Sequence, residues 1–283
     1  MKAVLRVLAT ALAALCAAQV PAQGRSENAK WCAGERSGEN GVPAELRIRG
    51  CTALIEAPDA KPRAVAEALL HRSAAYEAMR DLDRAGADLE RAIAVDPEFG
   101  RAWARNCLFH ISGRPDRARA LKECDTAIRL DPLGPDGYAF RGDLYLESRD
   151  YERAMQDFNQ ATQRSPAWVW PWNDHGEALL RLRQPRRAMR DFDRVIELAP
   201  ENALGFLNRG CAYLMIRRLA LARQDFDSAL RFDPKNPGAL LGRGLVKRQT
   251  GDVAGGDADV AAARAIRPRV GADWEALYGI RVP

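Results

Sequence analysis

The sequence is poor in the residues that carry chemistry. It holds only three histidines, His71, His110 and His175, with no metal-ligand spacing between them. It has no CxxC or CxxCH, which weighs against a redox, haem or zinc-ribbon centre. A phosphate loop, GxSxG and HExxH are also missing. Catalysis needs a poised acid, base or nucleophile in a pocket. No such constellation is visible, so the expectation is a non-catalytic protein with no catalytic residue, no metal and no cofactor. Aromatic residues make up only 7% of the chain. Against a background of alanine, leucine, arginine and aspartate, that favours helix over sheet. Acids and bases are interleaved, so there is no basic stripe and nucleic acid is not an expected partner. Beyond the N-terminus, no stretch is long and apolar enough to cross a membrane.

The N-terminus is different. Lys2 and Arg6 give a basic start, residues 7–18 are apolar, and Val20-Pro21-Ala22 offers small residues for cleavage after Ala22. Residues 1–22 therefore read as a secretory signal peptide. The mature chain is expected to be periplasmic or secreted, with no direct membrane insertion. Cys16 follows Leu15, where lipid attachment needs a small residue. Removing Lys2 and Arg6 lowers the formal charge of +5 by two.

Proline reveals the organisation. Pro97, Pro132, Pro166, Pro200, Pro234 and Pro268 are separated by 35, 34, 34, 34 and 34 residues. With each proline at position 32 of a 34-residue unit, other columns align. Position 8 reads Ser73, Gly142, Gly176, Gly210 and Gly244. Position 20 reads Ala85, Ala120, Ala154, Ala188, Ala222 and Gly256, and position 24 reads Leu89, Cys124, Phe158, Phe192, Phe226 and Val260. Small residues at 8, 20 and 27 let two antiparallel helices approach, and large ones at 4, 11 and 24 fill the gaps. Proline at 32 stops the second helix, because it lacks an N–H and clashes with the preceding turn.

These columns resemble the tetratricopeptide repeat family over about residues 66–270. The resemblance implies an all-α fold, an α-solenoid of about six helix-turn-helix units with N- and C-terminal capping helices. The units fall at about 66–99, 100–134, 135–168, 169–202, 203–236 and 237–270, within an array over 63–270. The second unit holds one extra residue, which is placed near Gly100 in the inter-repeat turn. Residues 23–42 read as loose. Residues 43–57 read as a capping helix with Leu46, Cys51, Leu54 and Ile55 inward, within an N-terminal segment 23–62. Residues 271–283 read as a C-terminal capping helix and tail, with Trp274 and Leu277 inward.

Two further patterns accompany the repeat. Arg72/Asp88, Arg141/Asp157, Arg209/Asp225 and Arg243/Asp259 stand 16 residues apart at positions 7 and 23, and His175/Asp191 fills the same slots. This predicts a ladder of charge-assisted, bidentate pairs inside the repeats. Apart from Cys16 there are five cysteines, and the exported compartment permits disulfides. Four paired cysteines allow three arrangements. Position in the array favours Cys32–Cys51 and Cys107–Cys124, the latter in the unit that lacks the Arg–Asp pair.

In the family the concave groove is lined by positions 2, 5, 9, 12 and 13 of the first helices. Carried onto this chain, those positions give Trp170, Asn173 and Glu177, then Leu204, Leu207 and Cys211, then Leu241 and Leu245, with Trp168 at the groove edge. The lysine–asparagine clamp of chaperone-binding members is missing, since position 5 reads Ala139, Asn173, Leu207 and Leu241. The expected partner is a protein or peptide, an amphipathic helix or extended segment laid into the groove. The other reading is a structural subunit of an envelope assembly that packs permanently against a partner or itself.

Overall fold

The computed structural model describes residues 22–34 and 41–280. Apart from Ala22, the expected signal peptide lies outside the described residues. Among these residues there are fifteen α-helices and no strand. The chain forms two compact units that divide between Asp116 and Arg117.

The first unit holds α1 (Ala22–Ala33), α2 (Ala44–Ile55), α3 (Pro62–Ala78), α4 (Leu82–Val95) and α5 (Gly100–Leu108), with a π-helical turn at Phe109–Gly113. The second holds α6 (Arg117–Leu130), α7 (Asp136–Glu147), α8 (Tyr151–Arg164), α9 (Val169–Arg181), α10 (Pro185–Leu198), α11 (Ala203–Met215), α12 (Leu219–Phe232), α13 (Pro237–Gln249), α14 (Val253–Ile266) and α15 (Val270–Tyr278). Four complete antiparallel pairs, α7/α8 to α13/α14, form repeats three to six. In the first unit α3/α4 form repeat one.

Helix pairs close where a small residue meets a ring. Gly176 faces Phe192 so closely that a Cβ there would lie 2.5 Å from the ring. Gly142 with Phe158 and Gly210 with Phe226 repeat the arrangement. Phe158, Phe192 and Phe226 are completely buried. Each second helix ends just before the residue that precedes a repeat proline, which is Asp96, Asp131, Ser165, Ala199, Asp233 or Arg267. Two residues past each first helix of repeats one, three, four and five stands a left-handed arginine: Arg80, Arg149, Arg183 and Arg217, with φ between 59° and 63°. Repeat six uses Gly251 there. The next residue often caps the second helix. The Asp81, Asp150 and Asp252 side chains accept the backbone N–H of Arg84, Arg153 and Gly255.

Three expectations are corrected. The extra residue of the second repeat is not in the turn near Gly100. α5 starts three residues after Pro97, as α9 starts three after Pro166, and the Trp103 indole donates to Pro97 O (2.9 Å) as Trp172 does to Pro166 O (3.1 Å). The surplus is absorbed at the other end of the first helix, where the Phe109–Gly113 turn widens and Arg114 N–H bonds to Phe109 O. Residues 23–42 are not all loose, since α1 packs on α2. Its polar sequence hides the reason. Gly50 lets α1 approach until a Cβ there would lie 2.6 Å from Asn28 O. Of the residues expected inward on α2, Cys51 and Ile55 are buried, while Leu46 and Leu54 are half-buried.

The third correction concerns α15. It does not simply cap the array. It packs on α13 and α14 and reaches back to α9, two repeats away. Val270, Trp274 and Tyr278 are buried in one cluster with Cys211, Leu241 and Leu245, while Leu277 is only partly buried.

Candidate functional site: the inner face of repeats three to six

The ladder is formed, and it is structural. Arg72, Arg141, Arg209 and Arg243 each donate from Nε and Nη2 to the two oxygens of Asp88, Asp157, Asp225 and Asp259, at 2.7–2.8 Å. The sequence argument missed its second arm. Arg141, Arg209 and Arg243 also donate from Nη1 to Asp125, Asp193 and Asp227 of the preceding repeat, at 2.7, 2.8 and 3.2 Å. Each arginine thus ties its own pair together and ties that pair to the one before. The paired carboxylates hold Arg141 and Arg209 above the usual arginine range. Repeat four departs twice. His175 reaches only Asp191 (Nδ1 to Oδ2, 2.9 Å), and Asn159 stands where the preceding aspartate would be.

The inner face splits into an open stretch and a covered one. Trp168 and Trp170 are half-buried, with ring centroids 5.4 Å apart. Both pack on buried Phe140, at 6.2 and 5.6 Å, so they join repeats three and four and still keep exposed edges. A polar line runs beside them. Asn208 Nδ2 donates to Asn173 Oδ1 (2.8 Å), and Asn173 Nδ2 donates to Asp174 Oδ1 (2.9 Å). Asp174 also accepts from the Trp170 indole and shares a hydrogen bond with Asp143. Burial, then the Asp174 charge, pushes Asp143 up to about 9, and burial pushes Asp174 up to about 6. The two carboxyls titrate as a pair that holds a proton at neutral pH. Glu147 and Glu177 add negative charge to them, and Glu177 also accepts from Arg181. This stretch can receive a cationic or hydrogen-bond-donating segment against an aromatic platform.

Leu204 is 50% exposed and Leu207 half-buried, so both remain available. Three residues expected to meet a partner do not face solvent. Cys211, Leu241 and Leu245 are buried in the cluster that contains Trp274 and Tyr278. The repeat columns place these residues on first helices, where the structure has them. They carry no information on where the terminal helix goes.

Cys32 and Cys51 face each other across α1 and α2 with Cα atoms 4.6 Å apart, within reach of a disulfide. Cys107 and Cys124 are each completely buried. In the first unit, burial and then the Arg101 charge hold His71 below the ordinary histidine range, which suits a neutral structural side chain. No group of three metal-binding side chains is gathered among the described residues.

Stacked helix pairs, small-over-aromatic closure and an inner face built from first helices define a helical-repeat solenoid. Two tetratricopeptide repeat family models match, one over residues 112–167 and 173–237 and the other over 66–99, together more than half of the chain, and the chain belongs to that family. Its fold is similar to that of YrrB, described as a TPR protein with an unusual peptide-binding site (21% identity, 64% of this chain and 92% of that one, TM-score 0.54). It is also similar to PilF of Pseudomonas aeruginosa (20%, 72% and 92%, TM-score 0.63) and to MamA of Desulfovibrio magneticus RS-1 (18%, 60% and 95%, TM-score 0.54). At these identities the likeness concerns the fold alone. No curated protein matches.

Proposed function

We propose that the protein is an exported, non-catalytic scaffold in the bacterial envelope that binds a polypeptide segment on the inner face of repeats three and four. Family membership supports protein–protein interaction in general. The observation that carries the finer reading is the half-buried aromatic and acidic stretch of Trp168, Trp170, Asp143 and Glu177, with the buried Asp174 behind it. Tryptophan edges supply contact area at low entropic cost. The carboxylates select a segment with lysine or arginine side chains and reject an acidic one. A C-terminal carboxylate has no clamp here to hold it.

Export supports oxidation of the cysteines. Cys32 and Cys51 lie within disulfide reach. Cys107 and Cys124 occupy positions 8 and 24, the columns that touch in repeat three as Gly142 and Phe158. Non-reducing peptide mapping of the secreted chain checks both bonds.

The binding reading is tested by affinity capture from an envelope extract, comparing the mature chain with a Trp170→Ala/Glu177→Ala variant of equal helicity. A partner held by the first and lost by the second supports it. Equal capture by both moves the site elsewhere. The second reading, a structural subunit, draws on Leu133, 81% exposed between α6 and α7. A stable oligomer of the pure chain that protects Leu133 would favour it.

A further inference from the structure

An end cap should cover the last helix of an array, because a terminal repeat otherwise exposes an apolar face. α15 does this only in part: it touches α14 and α13 and also reaches α9. Val253 and Ile266 of α14 stay 51% and 47% exposed, while α15 turns back along the first helices to α9. Its two ring anchors, Trp274 and Tyr278, stand one helical turn apart and meet at 5.4 Å, and Trp274 lies 6.1 Å from Phe226. Beneath them lie Cys211, Leu241 and Leu245, the inner-face positions that a ligand of such a fold would touch. Tyr278 sits near Cys211, Glu177 and Arg181, and its backbone carbonyl accepts from Arg183. The outward residues Ala272, Glu275 and Ala276 are exposed, so the helix is amphipathic and lies apolar side down. Beside Tyr278 the trough stays open as a cleft lined by Leu214, Met215, Arg217 and Gln249.

We propose that the trough of repeats four to six is a docking surface for an amphipathic helix with aromatic residues four apart, presented by a partner protein, and that α15 is its resident, displaceable occupant. The chain's own helix seated there shows which chemistry the trough accepts. Displacement is feasible because α15 is the last described helix and the array does not thread through it. A nine-residue helix has little stability of its own, so the cost of ordering it offsets much of what its three anchors contribute. The docked state is therefore a local equilibrium, opened without unfolding the repeats. The inference extends the groove-binding reading to the neighbouring repeats and rests on it for the existence of a partner.

Cys211 is a built-in reporter. Among the described cysteines it is the free one, and it is completely buried. Burial pushes its thiol pKa up, so the docked state resists alkylation. The unmodified mature chain is treated with iodoacetamide across low urea, and modification of Cys211 is read by peptide mass spectrometry. The expected rate in buffer exceeds by at least about tenfold the rate extrapolated from global unfolding, and it barely depends on urea. Modification that follows global unfolding alone would make α15 a permanent part of the fold and overturn the proposal. In a second arm, a Trp274→Ala/Tyr278→Ala variant of unchanged helicity exposes Cys211. A synthetic peptide of residues 268–283 should protect it again, and the same peptide without the two rings should not. Failure of the intact peptide to protect would overturn the docking claim. Neither arm uses an unknown partner, so a failed capture at Trp170 leaves this result standing and the reverse also holds.

Discussion

Replacing Arg209 by methionine removes three charge-assisted hydrogen bonds while leaving most of the side-chain stem. Two of them hold Asp225 at 2.8 Å, and Asp225 is only 4% exposed. The third holds Asp193 on the preceding repeat at 2.8 Å, at a carboxylate whose side chain is 53% exposed. Removing one partner of a buried pair strands the other charge, which costs about 3–5 kcal/mol when both are dry. The Arg209 side chain is 21% exposed, so some water reaches the site and the expected loss is about 2–3 kcal/mol. The Asp193 arm adds less than about 1 kcal/mol because it is exposed. Arg209→Lys keeps the charge and loses the fork, with an intermediate loss of about 1–2 kcal/mol. Adding Asp225→Leu to Arg209→Met removes the stranded charge, and the double variant should return to within about 1 kcal/mol of the parent. Urea unfolding followed by circular dichroism, analysed as a double-mutant cycle, gives the coupling energy. Additive effects of the two substitutions, or a loss below about 0.5 kcal/mol for Arg209→Met, would refute the reasoning.

Other outcomes follow from the same geometry. Asp143 and Asp174 have pKa values raised in the fold, to about 9 and about 6. The folded state therefore binds more protons than the unfolded chain, and the pair's contribution to stability falls as pH rises from about 4 through those values. Asp143→Asn should stabilise the protein on the order of 1–2 kcal/mol at pH 8 and have little effect near pH 4, measured as the pH dependence of the urea midpoint. Arg217 has φ 63° at an exposed turn; Arg217→Gly should stabilise by about 0.5–1 kcal/mol, read as a higher thermal midpoint. Gly176→Ala places a methyl 2.5 Å from Phe192; the expected loss is about 1–3 kcal/mol, seen in the same unfolding assay.

Most of the fold was legible because each repeat states the same constraint again. A proline every 34 residues, glycine or serine at position 8 and phenylalanine at position 24 mark helix ends and contacts together. The first arm of the ladder was visible for the same reason. Its second arm was missed, although the column Asp125, Asp193 and Asp227, with Asn159 falling where His175 replaces arginine, carried the signal. What misled was local chemistry that more than one structure satisfies. Gly100 reads as a turn, yet it starts α5, and the surplus residue widens the helix end before Arg114-Pro115. α1 is polar and carries almost no periodic signal; its order comes from packing on α2, which is a tertiary effect. Trp274 and Leu277 were expected inward, whereas Trp274 and Tyr278 are buried and Leu277 is partly so; periodicity also does not say which surface buries a helix. For that reason Trp168, Trp170, Asn173, Glu177, Leu204 and Leu207 keep solvent access, and Cys211, Leu241 and Leu245 do not.

Site-specific photocrosslinking tests the central claim most directly. A benzophenone side chain is placed at Asn173 on the open inner face, and in a second chain at Gln224, an exposed position on the second helix of repeat five. Each chain is irradiated in envelope extract. The account predicts one polypeptide crosslinked from position 173, absent from position 224, and diminished when Trp170 is also replaced by alanine. The same polypeptide crosslinked from position 224 with nothing at position 173 would contradict it and place recognition on the outer surface.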